Sequence, residues 1–429
     1  MQRRTKILGA AILAASMIGI TACSGSSGSG GSQTAKGPIK IWYSNNEQEV
    51  AWGKATVASW NKLHPDQKVT GQEIPAGKTS EEVIGASITA GNSPCLVYNT
   101  APSAVGQWVK QGGMVDLSKF SDGAKYIEAR SGSQADQYKG SDGDYYQLPW
   151  KSNPVMIFYN KDLFKKAGLD ADNPKLSTYA DFLATAKTLV DKGVAPNAIL
   201  PAPTSEFFQM SFDFYPLYAA ESGGKQLVSK SGKSTFADTA GYDAAGFWRS
   251  LYADKLAGQE AYQGDAFADG KAAMAIVGPW AVSVYKDVNW GAVPVPTKNG
   301  TPASKTYTFS DAKNVGMFTA CKNQGTAWSY LKYSTSKAQD QKLLETTGQM
   351  PLRSDLATTY ADYFAKNPSY KLFGDQASRT VEVPGGPNTV AEMQAFRDDW
   401  SSSVIFGKGD VKSSLDSAAK KIDQLAAEK

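Results

Sequence analysis

The chain has 429 residues, 41% of them apolar and 20% charged, with a formal charge of +4, three cysteines and one histidine. At roughly 100–200 residues per domain this length calls for two or more domains, and the apolar fraction is too high for disorder. The 45 cationic and 41 anionic residues form no basic run beyond the N-terminus, so nucleic acid is not an expected partner, and the lone His64 excludes multi-histidine metal sites and argues against Ser-His-Asp chemistry.

The N-terminus reads as an address. Arg3, Arg4 and Lys6 precede an apolar run from Ile7 to Ile20, a charged segment followed by a hydrophobic one of secretory length and too short to span a bilayer comfortably. Ile20-Thr21-Ala22-Cys23 resembles a bacterial lipobox, which implies a signal peptide over 1–22 and a lipid-modified Cys23 as the mature N-terminus. Residues 24–37, SGSSGSGGSQTAKG, read as a flexible tether with a reach of about 20 Å. Several acyl chains on one cysteine would hold the protein on the outer face of the cell membrane, since a single chain binds only marginally. Removing the leader leaves 42 cations against 41 anions, so the apparent basicity belongs to the leader. Cys95 and Cys321 remain, an even count in an oxidising compartment, which permits one disulfide.

From Pro38 the pattern is strand, helix, strand. Ile39–Tyr43 alternates like a strand, and the polar turn Ser44-Asn45-Asn46-Glu47 leads into a helix carrying Trp52, Val57, Trp60 and Leu63 that ends at His64-Pro65. A strand follows over Lys68–Ile74, a helix over Ser80–Ala90, a break at Gly91–Pro94, a strand over Cys95–Tyr98 and a helix through Val105 and Trp108 that stops at Gly112-Gly113. Residues 155–290 alternate helical stretches with short apolar ones such as Val155–Tyr159 and Ala273–Val277. The last forty residues are helical, with Leu415, Ala418, Ala419, Ile422 and Leu425 on one face. No repeat of 20–50 residues is present, and both halves read as α/β.

These segments resemble, in order, those of the family 1 extracellular solute-binding proteins, the sugar-binding receptors of ABC importers related to maltose-binding protein. The resemblance rests on ASWNKLHPDQKV (58–69), GNSPCLVY (91–98), GGMVDL (112–117), IFYNKDLF (157–164), FADGKAAMAIVGPWAV (267–282), AWSYLKY (327–333) and TGQMPLR (347–353). Cys95 stands where the family usually has Asp, and Trp150 and Met156 are bulkier than usual. The resemblance implies a type II periplasmic-binding-protein-like fold, in which each lobe is a central mixed sheet flanked by helices and the lobes are joined by hinge strands. It places one lobe over 38–150 plus 312–353 and the other over 151–311 plus 354–429. It further implies a monomer that binds an oligosaccharide by hinge closure, hands it to membrane permease subunits, and needs no cofactor, metal or covalent chemistry. The family's returning strand, matched by Asn314–Cys321, runs antiparallel beside the strand opened by Cys95, which implies a Cys95–Cys321 disulfide.

In open α/β sheets the crevice lies beyond the C-terminal ends of the strands. That rule selects Asn45, Asn46 and Glu47 after the first strand, Asn99 and Thr100 after the third, and Gly278-Pro279-Trp280 after Ala273–Val277. Sugars need paired donors and acceptors beside aromatic platforms. Trp280, in a family-like GPW motif, is the expected platform, with Gly278 turning the chain. Glu206, Phe207 and Phe208 match a region carrying a ligand glutamate and a stacking ring, in a register that can slip. Trp150 is read either as the pocket floor or as hinge packing, Tyr43 as a cleft residue with Trp42 facing the core, and Asn45, Asn46 and Glu47 as ligand groups or helix caps. Lys151 and Asn153 are hinge-adjacent candidates, Arg353 an ion-pair partner at the hinge and His64 a solvated turn residue. The competing readings are a non-sugar solute (polyamine, peptide or metal) on the same fold, or a glycoside hydrolase, for which Glu81/Glu82, Asp142/Asp144 and Asp398/Asp399 are carboxylate pairs only in sequence.

Overall fold

The structure is a computed structural model that describes residues 32–44, 46–77, 79–229, 231–383 and 385–428. The leader, Cys23 and Asn45 lie outside the described residues. Twelve strands are present among them: β1 (Ile39–Tyr43), β2 (Val69–Glu73), β3 (Leu96–Thr100), β4 (Gln147–Ser152), β5 (Met156–Asn160), β6 (Asn197–Ile199), β7 (Ala272–Val277), β8 (Trp290–Val293), β9 (Thr308–Phe309), β10 (Lys313–Met317), β11 (Met350–Pro351) and β12 (Thr380–Val381).

The first sheet has the order β11-β4-β10-β3-β1-β2, with β1 parallel to β2 and β3, and with β10 antiparallel to both β3 and β4. The second has the order β6-β7-β5-β8, in which β5 runs antiparallel to both β7 and β8. Each sheet has its own core. Ile39, Ile41, Tyr43, Trp52, Trp60, Tyr98 and Trp150 belong to the first, and Ile157, Phe164, Phe182, Phe214, Trp248 and Trp400 to the second. At about 1.5–3 kcal/mol per fully buried large side chain, each lobe holds a core sufficient to fold around.

Local sequence explains the elements that reach the space between the lobes. The helix Glu47–Leu63 starts where the Asn46 side chain accepts hydrogen bonds from the backbone N–H groups of Gln48 and Glu49, and it stops at His64, ahead of Pro65. His64 does not stand free in solvent, because its ring stacks on Trp60 with centroids 3.8 Å apart. Strand β4 is buried along its whole length because β10 and β11 flank it.

The chain passes between sheets three times: from β4 to β5, from β9 to β10, and after β11. The passages are tied together. Asn153 N–H donates to Ser310 O at 2.6 Å, Val155 N–H to Phe309 O at 3.2 Å, Ser310 N–H to Val381 O at 2.8 Å and Leu352 N–H to Trp150 O at 2.9 Å. Arg353 pairs with Asp340 and Asp355, both at 3.0 Å. Cys95 and Cys321 are joined by a disulfide across the first lobe, with Cα atoms 4.5 Å apart and a separation of 226 positions in sequence. Beside it, Phe318 N–H donates to Cys95 O at 3.1 Å.

Candidate ligand-binding cleft

Three strand ends are candidates for the cleft, those of β7, β1 and β3. After β7 the chain turns at Gly278-Pro279 and presents Trp280, partly exposed, at the start of the short helix Ala281–Val284. Gly278 is buried directly beneath that ring, since a Cβ there would lie 2.1 Å from the six-membered ring of Trp280. Its part is therefore to seat the tryptophan rather than to meet a ligand, and any side chain would push the ring away. Phe212 meets Trp280 edge to face at 6.1 Å, and the two rings form one aromatic wall.

Phe212 was not among the expected residues. The sequence pointed to Glu206, Phe207 and Phe208, at the start of the same aromatic run. Phe208 is 42% exposed, Phe207 packs partly buried on the second core and touches Phe208 edge to face, and Glu206 is partly exposed. The segment is held by a fully buried ion pair. Arg397 donates to the Asp213 carboxylate at 2.6 Å and to the carbonyl of Thr204 at 2.7 Å, and Trp248 Nε1–H donates to Asp213 O. Burial raises the Asp213 pKa against the opposing pull of Arg397. Arg397 lies nearly two hundred residues downstream, which is why local pattern reading could not fix which phenylalanine reaches the wall.

The ends of β1 and β3 form the facing side. Asn99 sits at φ +64°, the left-handed region, where asparagine is among the few non-glycine residues that settle, and Thr100 Oγ1 donates to Asn314 O at 3.0 Å. Glu47 is exposed in the first helical turn, where its charge complements the helix dipole, and the Asn46 Oδ1 is occupied by capping. The lobes meet here, with Ser283 Oγ placed 3.5 Å from Gln48 Oε1.

One expectation fails, and of the two readings of Trp150 the packing one holds. Tyr43 is not a cleft residue: it is 4% exposed, it lies on the sheet face covered by the helix Glu47–Leu63, its ring rests against Gly53 and Gly71, and its hydroxyl donates to Gly71 O. Alternation placed Trp42 and Tyr43 on opposite faces correctly, but both faces of this sheet are covered, as is usual where strands run parallel, so neither phase points to the cleft. Trp150 is 1% exposed and belongs to the first core, packed against Trp52 at 5.1 Å and Tyr98 at 5.2 Å.

The residues beside Trp150 matter more than its ring. Lys151 Nζ forms a close ion pair with Glu49 and donates to Gln349 Oε1 at 2.6 Å. Gln349 Nε2 donates to Glu49 Oε1 at 2.7 Å, and Asn153 Nδ2 to Gln349 Oε1 at 3.2 Å. All four side chains are buried, and burial lowers the Lys151 pKa more than Glu49 restores it. Glu49 Oε2 and Asn153 Oδ1 nevertheless have no hydrogen-bond partner. An unpaired buried acceptor costs about 1–3 kcal/mol, so this cluster at the first crossing is a buried polar network short of donors. Glu49 is the neighbour of Gln48, which ties the network to the helix that begins at Trp280.

Among the described residues, no cluster of three or more His, Cys, Asp or Glu side chains is arranged to hold a metal ion, and no helix is long and apolar enough to cross a membrane. Two lobes, each with its own sheet and joined by three crossings, define the fold class of the two-lobed binding proteins. Residues 44–341 match the bacterial extracellular solute-binding proteins, and the chain belongs to that family. It is 26% identical to the maltodextrin-binding protein MdxE of Bacillus subtilis over 442 aligned positions, covering 98% of each chain. It is 27% identical to the galactooligosaccharide-binding protein of the same organism, covering 95% of this chain and 94% of that one. The crystal structure of the cyclic alpha-maltosyl-1,6-maltose binding protein from Arthrobacter globiformis matches with a TM-score of 0.78 at 19% identity, over 92% of this chain and all of the other, a likeness of fold.

Proposed function

We propose that this protein captures an oligosaccharide between its lobes, closes around it by hinge motion and delivers it to the permease of an ABC importer, as a monomeric lipoprotein held on the outer face of the membrane through Cys23. The lobe limits proposed are 38–150 plus 312–353 and 151–311 plus 354–429. Closure follows from differential affinity, because a ligand that touches both lobes favours the state in which they meet. No bond in the ligand is made or broken.

The observation that carries this reading is the partly exposed Trp280, paired edge to face with Phe212 after β7, beside the point where the two lobes meet through Ser283 and Gln48. A pyranose offers an apolar C–H face to such rings. The relatives named for maltodextrin and galactooligosaccharide support the same class of ligand. A thermal-shift screen of the mature protein against α- and β-linked oligosaccharides, polyamines and peptides tests it. A rise in Tm with at least one oligosaccharide is expected. A response confined to polyamines or peptides would overturn the sugar assignment while leaving the fold-level reading intact.

A further inference from the structure

The lobes also touch away from the cleft. The first-lobe helix Pro102–Lys110 lies against the backbone of Gly385-Gly386, so closely that a Cβ on Gly106 would sit 2.2 Å from Gly386 O. Beside this contact are two adjoining cavities, of about 480 and 430 Å³, which share Lys139, Gly140, Ser141, Gly385 and Pro387. Neither is lined by Trp280, Phe212, Glu49 or Asn153, so they are separate from the proposed sugar site.

Glu392 lines the larger cavity. It is 5% exposed, and its carboxylate has no hydrogen-bond or ion-pair partner among the described residues. It stands fourth in the helix Thr389–Trp400, where the positive end of the helix dipole favours an anion. Burial opposes that and pushes its pKa up to about 7. The other charged groups on this cavity, Asp136 and Lys139, pair with each other at 2.8 Å, and Lys139 also approaches Glu128 at 3.6 Å. The adjoining cavity adds Lys110, Asp142 and Glu428. Among the described residues that line the larger cavity, Glu392 is thus the charged side chain without an ion pair.

The chemistry of the lining narrows the ligand. No aromatic ring lines the larger cavity, which gives a sugar face no platform. Metal-ligating groups do not gather there. Small polar groups do, including Ser141, Gln226 and Ser229. A compact cation with several N–H donors meets both needs, since it neutralises the carboxylate and has donors left for neighbouring oxygens.

We propose that this interlobe cavity is a second ligand site, which binds a small primary ammonium compound through the Glu392 carboxylate and, because its walls come from both lobes, favours the arrangement in which they touch. Calorimetric titration of the mature protein with ethanolamine tests the assignment, with ethylene glycol as the uncharged control. Saturable binding of ethanolamine is expected at pH 8, about tenfold weaker at pH 6 as the carboxyl takes up its proton, at least tenfold weaker in Glu392→Gln, and unchanged in Trp280→Ala. The pH profile is measured on the native chain, so it stands whether or not the variant folds. Absence of binding at pH 8, equal affinity at the two pH values, or ethylene glycol binding as well as the amine would overturn the proposal. So would loss of the amine in Trp280→Ala, which would place it in the cleft.

Discussion

Lys151 shows how much one side chain carries at the first crossing between the lobes. It is the only cation in a buried cluster whose anion, Glu49, already has one oxygen without a donor. Lys151→Met leaves that carboxylate buried and unpaired, and a destabilisation of about 3–5 kcal/mol is expected from denaturant midpoints. The double variant Glu49→Gln, Lys151→Met should recover much of it, and a single-variant loss below about 1 kcal/mol would show that the pair is solvated rather than buried. At this scale legibility was uneven. The place of Trp280 just after β7 was readable because a Gly-Pro pair directly before it turns the chain. Tyr43 was misplaced because alternation reports which face a residue takes and not whether that face is covered. Glu49 was invisible, since an acidic residue in a first helical turn has a sufficient local reason to be there.

At the scale of elements, strand, helix, strand periodicity located β1, β2, β3 and β7 within a residue or two, because each is bounded by turn residues such as Gly91–Pro94 and Gly278-Pro279. The pairs β9–β12 and β4–β11 were beyond reach: β9, β11 and β12 are two residues long and pair with partners far away in sequence. The disulfide belongs to this scale, since it closes a loop across β3 and the end of β10. A loop that long is worth at most about 5 kcal/mol in the chain-entropy model, so 2–5 kcal/mol is expected. Denaturant unfolding of the native chain with and without reductant, and of Cys95→Ser, Cys321→Ser, measures it. Identical midpoints would mean that the bridge does not constrain the unfolded chain.

At the scale of the molecule, the crossings that join the lobes hold a titrating group. Glu382, just past β12, is fully buried and accepts from the N–H groups of Ala312 and of its neighbour Val383, so it ties the segment after β12 to the crossing between β9 and β10. Burial pushes its pKa up to about 8, with Lys313 opposing and Asp311 assisting. A carboxyl raised in the folded state binds its proton more tightly there than when unfolded, so its contribution is complete below about pH 4.5 and falls away as pH rises towards 8. Stability measured from pH 5 to 8 should therefore decline more steeply in the native chain than in Glu382→Gln; parallel slopes would remove Glu382 as the source. The two-lobed arrangement itself was foreseeable from ordered motifs along the whole chain, whereas the contact between Gly106 and Gly386 was not, because it depends on how the lobes come to rest. The central claim is that the space between them holds an oligosaccharide against Trp280. Isothermal titration of the mature protein and Trp280→Ala with the strongest oligosaccharide from the screen tests that most directly: affinity should fall at least tenfold in the variant, and equal affinity in the two proteins would contradict it.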